Sequence, residues 1–451
     1  MSTHSPHTLF GTDGIRGTAG TFPLDVQTVR RIGSALVEAL PRSDARLLIG
    51  RDTRESGVWI ERELAYGARL AGATVQSVGV APTPAIAYLT GSLDFDAGVV
   101  ISASHNPYQD NGIKVFSGAG VKYGGEFETR IEQLVADTSW QVPPGEAGDV
   151  PHADHLRKYL EHTRAVLPKP QALGRVRIAV DCANGAMIAV APVLFRELGF
   201  DVTTLGAEPD GRNINKGVGS THPEKLADMV RQDGYRLGVA FDGDGDRAIL
   251  VDGGGRIIDG DHVMLMCAKQ MQAEGRLRGN AVVATVMSNI GLEIALRQLD
   301  IDLVRTKVGD KYVMEEMQKR DLSLGGEQSG HLIFSEHLYT GDGLITALSV
   351  LQTMAASGRE LADLANDLTT YPQVLLNVRV REKVDLEKIP EVAAAMRSVE
   401  SRLGSNGRLL VRYSGTEPLL RVMLEGQNAK EIDLWAREIV DAVSKTIGQR
   451  Q

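Results

Sequence analysis

With 451 residues, 43% of them apolar and 24% charged, the chain is long enough for several hydrophobic cores and too ordinary in composition for wholesale disorder. A formal net charge of −9 excludes a broad basic surface for nucleic acid, although a local basic cleft for an anionic small molecule is compatible with it. Two cysteines, Cys182 and Cys267, are too few for a disulfide framework or a thiolate zinc site, no window reaches the ~18 apolar residues of a membrane span, and no secretory apolar stretch opens the sequence, so the expected compartment is the reducing cytoplasm.

In chain order, the glycine-rich run at 10–17, Phe-Gly-Thr-Asp-Gly-Ile-Arg-Gly, predicts a backbone bent closely around Asp13 and Arg16. The spacing then predicts a helix over 29–40, a strand over 47–49, a helix over 58–71, a strand over 74–80, a turn at Pro82-Thr83-Pro84 and a buried strand over 99–101. That last strand breaks into Ser-Ala-Ser-His-Asn-Pro at 102–107, where the hydroxyls of Ser102 and Ser104 stand beside His105. Such a loop at the carboxyl end of a strand suits a nucleophilic serine, and it also suits a plain polar strand-to-helix connection.

The Pro- and Gly-rich stretch 141–151 is the strongest boundary signal, followed by a helical segment near 155–166. Strand 176–181, helix 186–198, strand 201–205, helix 223–232 and strand 237–241 alternate as βαβαβ and imply a parallel sheet. The alternation restarts with helix 260–273, strand 281–286, helix 292–298, strand 303–306 and helix 312–319. The last region differs: strand 375–381, helix 392–403, strands 409–412 and 420–425, and a helix with Ile432, Trp435, Ala436, Ile439 and Val443 on one face. The expected fold class is therefore α/β, with three similar layered domains over 1–153, 154–255 and 256–370 and a smaller α+β domain over 371–451.

Asp242-Gly-Asp244-Gly-Asp246-Arg247 directly follows an apolar strand, and three carboxylates at alternate positions repel one another unless a cation neutralises them. Hard oxygen donors suit Mg²⁺ or Ca²⁺; an EF-hand is excluded because its sixth position would be Arg247 and its twelfth Gly253. Glu327, Ser329 and His331 lie between glycines and offer short polar groups for vicinal sugar hydroxyls. Arg412, Ser414, Gly415 and Thr416 combine a guanidinium, hydroxyls and turn N–H groups, the donor set for a phosphate dianion.

Four motifs in this order, Ser-Ala-Ser-His-Asn-Pro with Asn-Gly-Ile-Lys, Asp-Gly-Asp-Gly-Asp-Arg, Gly-Glu-Gln-Ser-Gly-His and Arg-Tyr-Ser-Gly-Thr-Glu-Pro, resemble those of the α-D-phosphohexomutase family. The resemblance implies four domains around a central cleft, with Ser104 carrying a phosphoryl group and Asp242, Asp244 and Asp246 holding Mg²⁺ together with that group. It gives Arg16 and Arg247 positions in the active site, Glu327 and Ser329 the sugar hydroxyls, and Arg412, Ser414, Gly415 and Thr416, with help from Arg421, the non-reacting phosphate. Lys114, its pKa lowered by nearby cations, is the expected proton acceptor, with Arg16, His105 and His331 as other members of the catalytic group. The implied substrate is a hexosamine phosphate that passes through a sugar 1,6-bisphosphate, most like the bacterial branch acting on glucosamine phosphates, and Asp310 is the candidate partner for a C2 ammonium. A branch acting on mannose and glucose phosphates is the alternative, and a non-catalytic sugar-phosphate-binding regulator is the alternative of another class. Neither nucleic acid nor membrane is expected as a partner, and a homodimer is left open.

Overall fold

Four β-sheets follow one another along the computed structural model, which describes residues 9–11, 13–42, 44–414 and 418–449. The first is six-stranded, the second five-stranded, the third four-stranded and the last three-stranded. In the first, Thr74–Val80 lies beside Arg46–Arg51, which pairs parallel with Ala97–Ile101, which pairs antiparallel with Asp110–Ser117. In the second, Asp201–Leu205, Arg177–Asp181, Leu237–Phe241 and Ala248–Asp252 repeat the same order and directions. The third carries Asp302–Thr306, Ala281–Thr285, Leu324–Gly326 and Leu332–Phe334 in that order, with the last pair antiparallel.

The three α/β sheets are thus copies of one plan, in which two strands, a parallel third and an antiparallel fourth lie in the spatial order 2-1-3-4. In every copy the loop between the third and fourth strands carries one of the predicted motifs: 102–109, 242–247 and 327–331. The parallel sheet expected from the βαβαβ pattern over 176–241 is present, and Ala248–Asp252 adds an antiparallel fourth strand to it. A plain strand-to-helix connection after Ile101, the alternative reading of the serine loop, is corrected, because Asp110–Ser117 turns straight back along the sheet.

The strands preceding these loops, Ala97–Ile101 and Leu237–Phe241, are buried at all positions, as continuous apolar runs between two layers of helix require. A hairpin of Phe10–Gly11 and Gly14–Thr18 extends the first sheet and sets Arg16 opposite Gly112. Pro82-Thr83-Pro84 is the start of the helix Thr83–Ser92, where proline in the first turn gives up an N–H that has no intrahelical partner. The predicted helix over 186–198 is a 3-10 turn, Ala186–Ala189, followed by Ala191–Glu197.

The described residues up to 287 form one unit together with 303–366, and 288–302 form a second with the residues from 367 onward. The second unit has the strand order Gln373–Arg379, Leu419–Glu425, Arg408–Tyr413, with Pro390–Leu403 and Ala429–Thr446 covering an apolar face that includes Val378, Val422 and Leu424. Helix Ile290–Arg297, whose sequence lies inside the third α/β stretch, belongs to this second unit: the Asn289 amide donates to Tyr371 O at 2.9 Å and its Oδ1 accepts from Tyr371 N at 2.9 Å. Among the described residues no helix is long and apolar enough to cross a membrane.

Candidate active site

Ser104 begins the chemistry. Its φ of +51° is a left-handed conformation that costs a non-glycine residue ~1–3 kcal/mol and persists only where the surroundings impose it. Held this way, Ser104 is 1% exposed, its Oγ donates to Asp242 Oδ2 at 2.5 Å, and His105 Nδ1 lies 3.2 Å away. The serine loop of the first sheet therefore meets the aspartate loop of the second. Gly243 is obligatory at that meeting, since a Cβ there would stand 2.6 Å from Ser104 O, and Gly245 turns the loop at φ +74° so that successive carboxylates converge.

Asp242, Asp244 and Asp246 are 0%, 0% and 3% exposed, and one ligand oxygen from each lies within 4.8 Å of the others. Asp244 Oδ2 is occupied by Thr83 Oγ1 at 2.6 Å and Lys114 Nζ at 3.0 Å, and Asp246 Oδ2 by Lys114 Nζ at 3.1 Å. The remaining oxygens, Oδ1 of both residues, are buried without a hydrogen bond. Burial, reinforced by Asp246 and Asp244, holds the Asp242 carboxyl well above the usual carboxylate range. Converging oxygens, two of them left without a donor, and mutual repulsion are what a hard divalent cation relieves, so the set fits a metal.

Lys114 corrects the sequence expectation. Burial alone would lower its pKa, but Asp13 at 3.3 Å, Asp244 and Asp246 outweigh burial and raise it well above the ordinary value. The ammonium is a fixed cation here and not a base made neutral by other cations. His331, 2% exposed, has Nδ1 3.7 Å from Asp246 Oδ1 and Nε2 3.8 Å from Asp310 Oδ2; burial opposes its charge, and the two carboxylates overcome burial and raise its pKa. His105 goes the other way: burial, then Arg247 and Arg16, pull it down to about 4, so its imidazole is neutral near pH 7.

Asp13, which sequence reading noted only as the centre of a turn, is a hub that accepts from Arg16, from Lys122 at 2.7 Å and from Lys114. Lys122, absent from the sequence expectations, also donates to Asp310. Asp310, the expected partner of a substrate ammonium, thus carries an ion pair to Lys122 and faces His331. Thr83 was missed too; the only available signal was a hydroxyl beside prolines at a strand end.

Beside Ser104 a cavity of about 450 Å³ is lined by His105, Arg247, Thr285, Val308, Glu327 and Ser329. Glu327 accepts from Gly309 N at 3.1 Å and from Ser329 Oγ at 3.4 Å, which places both polar groups of the third loop on the cavity wall. In the second unit, Arg412 and Arg421 are register partners on adjacent strands, and Arg421 Nε is buried without a hydrogen bond. Ser414 is 4% exposed and its carbonyl accepts from Lys383 Nζ at 2.6 Å, while Gly415 and Thr416 lie outside the described residues.

The phosphoglucomutase/phosphomannomutase α/β/α domains I, II and III match residues 7–142, 157–255 and 259–371, and the C-terminal domain of the same family matches 375–442. A phosphoglucosamine mutase of Syntrophus aciditrophicus is 47% identical over 446 residues, which are 98% of this chain and 99% of that one. Its counterpart from Geobacter metallireducens is 48% identical with the same coverage. A phosphoglucomutase/phosphomannomutase family protein from Burkholderia thailandensis shares the fold, with a TM-score of 0.80 at 24% identity over 98% of both chains. Motif-bearing loops from three copies of one sheet converge, and the family's domains are matched in order along almost the whole sequence; the chain belongs to the phosphoglucomutase/phosphomannomutase family and is a phosphohexomutase, an isomerase.

Proposed function

We propose that the chain interconverts glucosamine 6-phosphate and glucosamine 1-phosphate in the cytoplasm, through phospho-Ser104 and a 1,6-bisphosphate, toward UDP-N-acetylglucosamine. The observation that carries this is Ser104 Oγ at 2.5 Å from Asp242, inside a carboxylate cluster with two buried oxygens that accept no hydrogen bond. In the first half-reaction a sugar hydroxyl attacks phosphorus as the P–O bond to Ser104 breaks, and the hydroxyl proton passes by way of His105 to the departing Ser104 Oγ. The bisphosphate then turns and the second half-reaction returns its other phosphoryl group to Ser104.

Mg²⁺, held by Asp242, Asp244 and Asp246, would withdraw electron density from phosphorus, and all-oxygen donors support that ion. Arg247 and Arg16 supply fixed positive charge for the equatorial phosphoryl oxygens. Carboxylates raise the pKa of Lys114 and His331 and so oppose their giving up a proton, while the neutral imidazole of His105, 3.2 Å from Ser104 Oγ, is the group that takes the proton. Glu327 and Ser329 bond the ring hydroxyls from the cavity wall.

For the phosphate that is not reacting we propose Arg412, Ser414, Gly415, Thr416 and Arg421. Two guanidinium groups facing each other across a strand pair repel unless an anion lies against them, and the unpartnered Arg421 Nε supports that reading. A coupled assay offering glucosamine, mannose and glucose phosphates in turn tests the proposal. Turnover of the glucosamine ester, lost in Ser104→Ala, is expected; preference for mannose or glucose phosphate would refute the specificity, and no turnover of any would refute the activity.

A further inference from the structure

Ser104 O accepts two side-chain hydrogen bonds, and neither donor belongs to the reacting set. Arg54 Nη2 donates to it at 2.9 Å and to Asn106 O at 2.9 Å, and Nη1 donates to Pro107 O. Asn215 Nδ2, from a loop of the second sheet's domain, donates to the same two carbonyls at 2.9 and 3.2 Å. On the other side of the residue, Ser104 N donates to Ser102 Oγ at 2.9 Å, and that hydroxyl donates to Asp52 Oδ2 at 2.5 Å. Asp52 closes the circuit by accepting from Arg54 Nε at 2.9 Å and Arg54 N at 2.9 Å.

Arg54 and Asp52 have no exposed side-chain surface, so this is a buried ion pair whose guanidinium fork is aimed at backbone and not at ligand. Burying such a pair is expensive, and packing alone would be served as well by apolar side chains of the same volume. What an apolar replacement could not do is fix the planes of the peptides on either side of Ser104. Those planes decide whether the residue stays at φ +51° with Oγ on Asp242 or relaxes to an ordinary conformation that aims Oγ elsewhere. In both half-reactions the serine must present the same line of attack to phosphorus while a dianion arrives and departs, and a misplacement of about 1 Å is enough to cost on the order of a hundredfold in rate.

We propose that Arg54 and Asn215 are positioning residues that lock Ser104 in its left-handed conformation for phosphoryl transfer. The inference rests on Ser104 being the phosphoryl carrier. Asn215 provides the cleaner test, because its own φ is +60° and glycine adopts that conformation freely. Asn215→Gly deletes both donors without straining the backbone, and Asn215→Asp keeps the volume but sets an acceptor against two carbonyls.

The experiment follows uptake of ³²P from labelled glucose 1,6-bisphosphate into dephosphorylated full-length protein, alongside bisphosphate affinity measured on Ser104→Ala backgrounds and thermal unfolding. Label on the parent's Ser104 is expected; a parent that takes up none overturns the carrier reading and the positioning role with it. Given a labelled parent, Asn215→Gly should label about tenfold more slowly and Asn215→Asp more slowly still, with bisphosphate affinity within about twofold of the parent's and the unfolding transition kept. Arg54→Lys, which retains charge but not the fork, should fall in the same class if it folds. Labelling of Asn215→Gly at the parent's rate, or a rate that falls only in step with affinity, would overturn the positioning role while leaving the carrier intact. So would Asn215→Asp matching the parent, which would make the side chain a volume filler.

Discussion

Replacing Lys114 by Met separates a structural cation from a catalytic base. The ammonium is 1% exposed and stands 3.0, 3.1 and 3.3 Å from carboxylate oxygens of Asp244, Asp246 and Asp13. At an effective dielectric constant of ~20, each such pair is worth ~5 kcal/mol before desolvation. Burial of the ions takes back several kcal/mol apiece, and deleting one member of a buried group leaves the others uncompensated, for a net loss of ~3–5 kcal/mol. In metal-free protein, urea unfolding of Lys114→Met should therefore begin at clearly lower denaturant than in the parent. Mg²⁺ should restore more stability to the variant than to the parent, because the ion and the ammonium neutralise the same carboxylates; a hundredfold excess over its dissociation constant supplies ~2.7 kcal/mol. A metal-free loss below ~1 kcal/mol, or equal rescue by Mg²⁺ in the two proteins, would refute the charge-balance argument and reopen Lys114 as a neutral amine.

Asp244→Asn removes one charge at almost constant shape, so metal affinity by titration calorimetry and kcat in the mutase assay should both fall at least tenfold. Glu327→Ala should raise KM for the sugar phosphate about tenfold or more, through lost hydroxyl contacts worth ~1.5–3 kcal/mol. Burial lifts the Asp342 carboxyl from its ordinary 3.8 to about 6. Its contribution to stability is then complete below pH ~4 and lost as pH rises through the folded value, and Asp342→Asn, which can still cap the helix Gly343–Ser357, should flatten urea stability across that window by ~3 kcal/mol. His105, already neutral, should put no inflection between pH 6 and 8 into kcat/KM, and one removed by His105→Gln would contradict the depressed pKa of about 4.

What could be read in advance was what depends on local pattern. Apolar runs located the strands over 74–80, 201–205 and 237–241 to the residue, and the motif loops stood out because polar groups end those runs abruptly. Asp110–Ser117 escaped because its Asn111-Gly112 looks like a turn; inside the strand Gly112 serves packing, since a Cβ there would meet Ser102 O at 2.6 Å and Ile15 O at 2.7 Å. The charge state of Lys114 was unreadable in principle, because the carboxylates that fix it are Asp13, in the turn of the first hairpin, and two that come 130 and 132 residues later. Arg54 and Asn215 escaped for the same reason: nothing near either in sequence shows that both reach one carbonyl.

Helix Ile290–Arg297 has a consequence for how the molecule is made. Its buried side chains, Ile290, Leu292 and Leu296, leave the ribosome well before residues 367–451, with which they form a unit. Roughly 150 residues separate it from the end of the helix Ala429–Thr446, and at ~5–20 residues per second their synthesis takes on the order of 7–30 s. The nascent chain therefore holds this helix for that interval without the rest of its unit, whose core is finished by Ala429–Thr446.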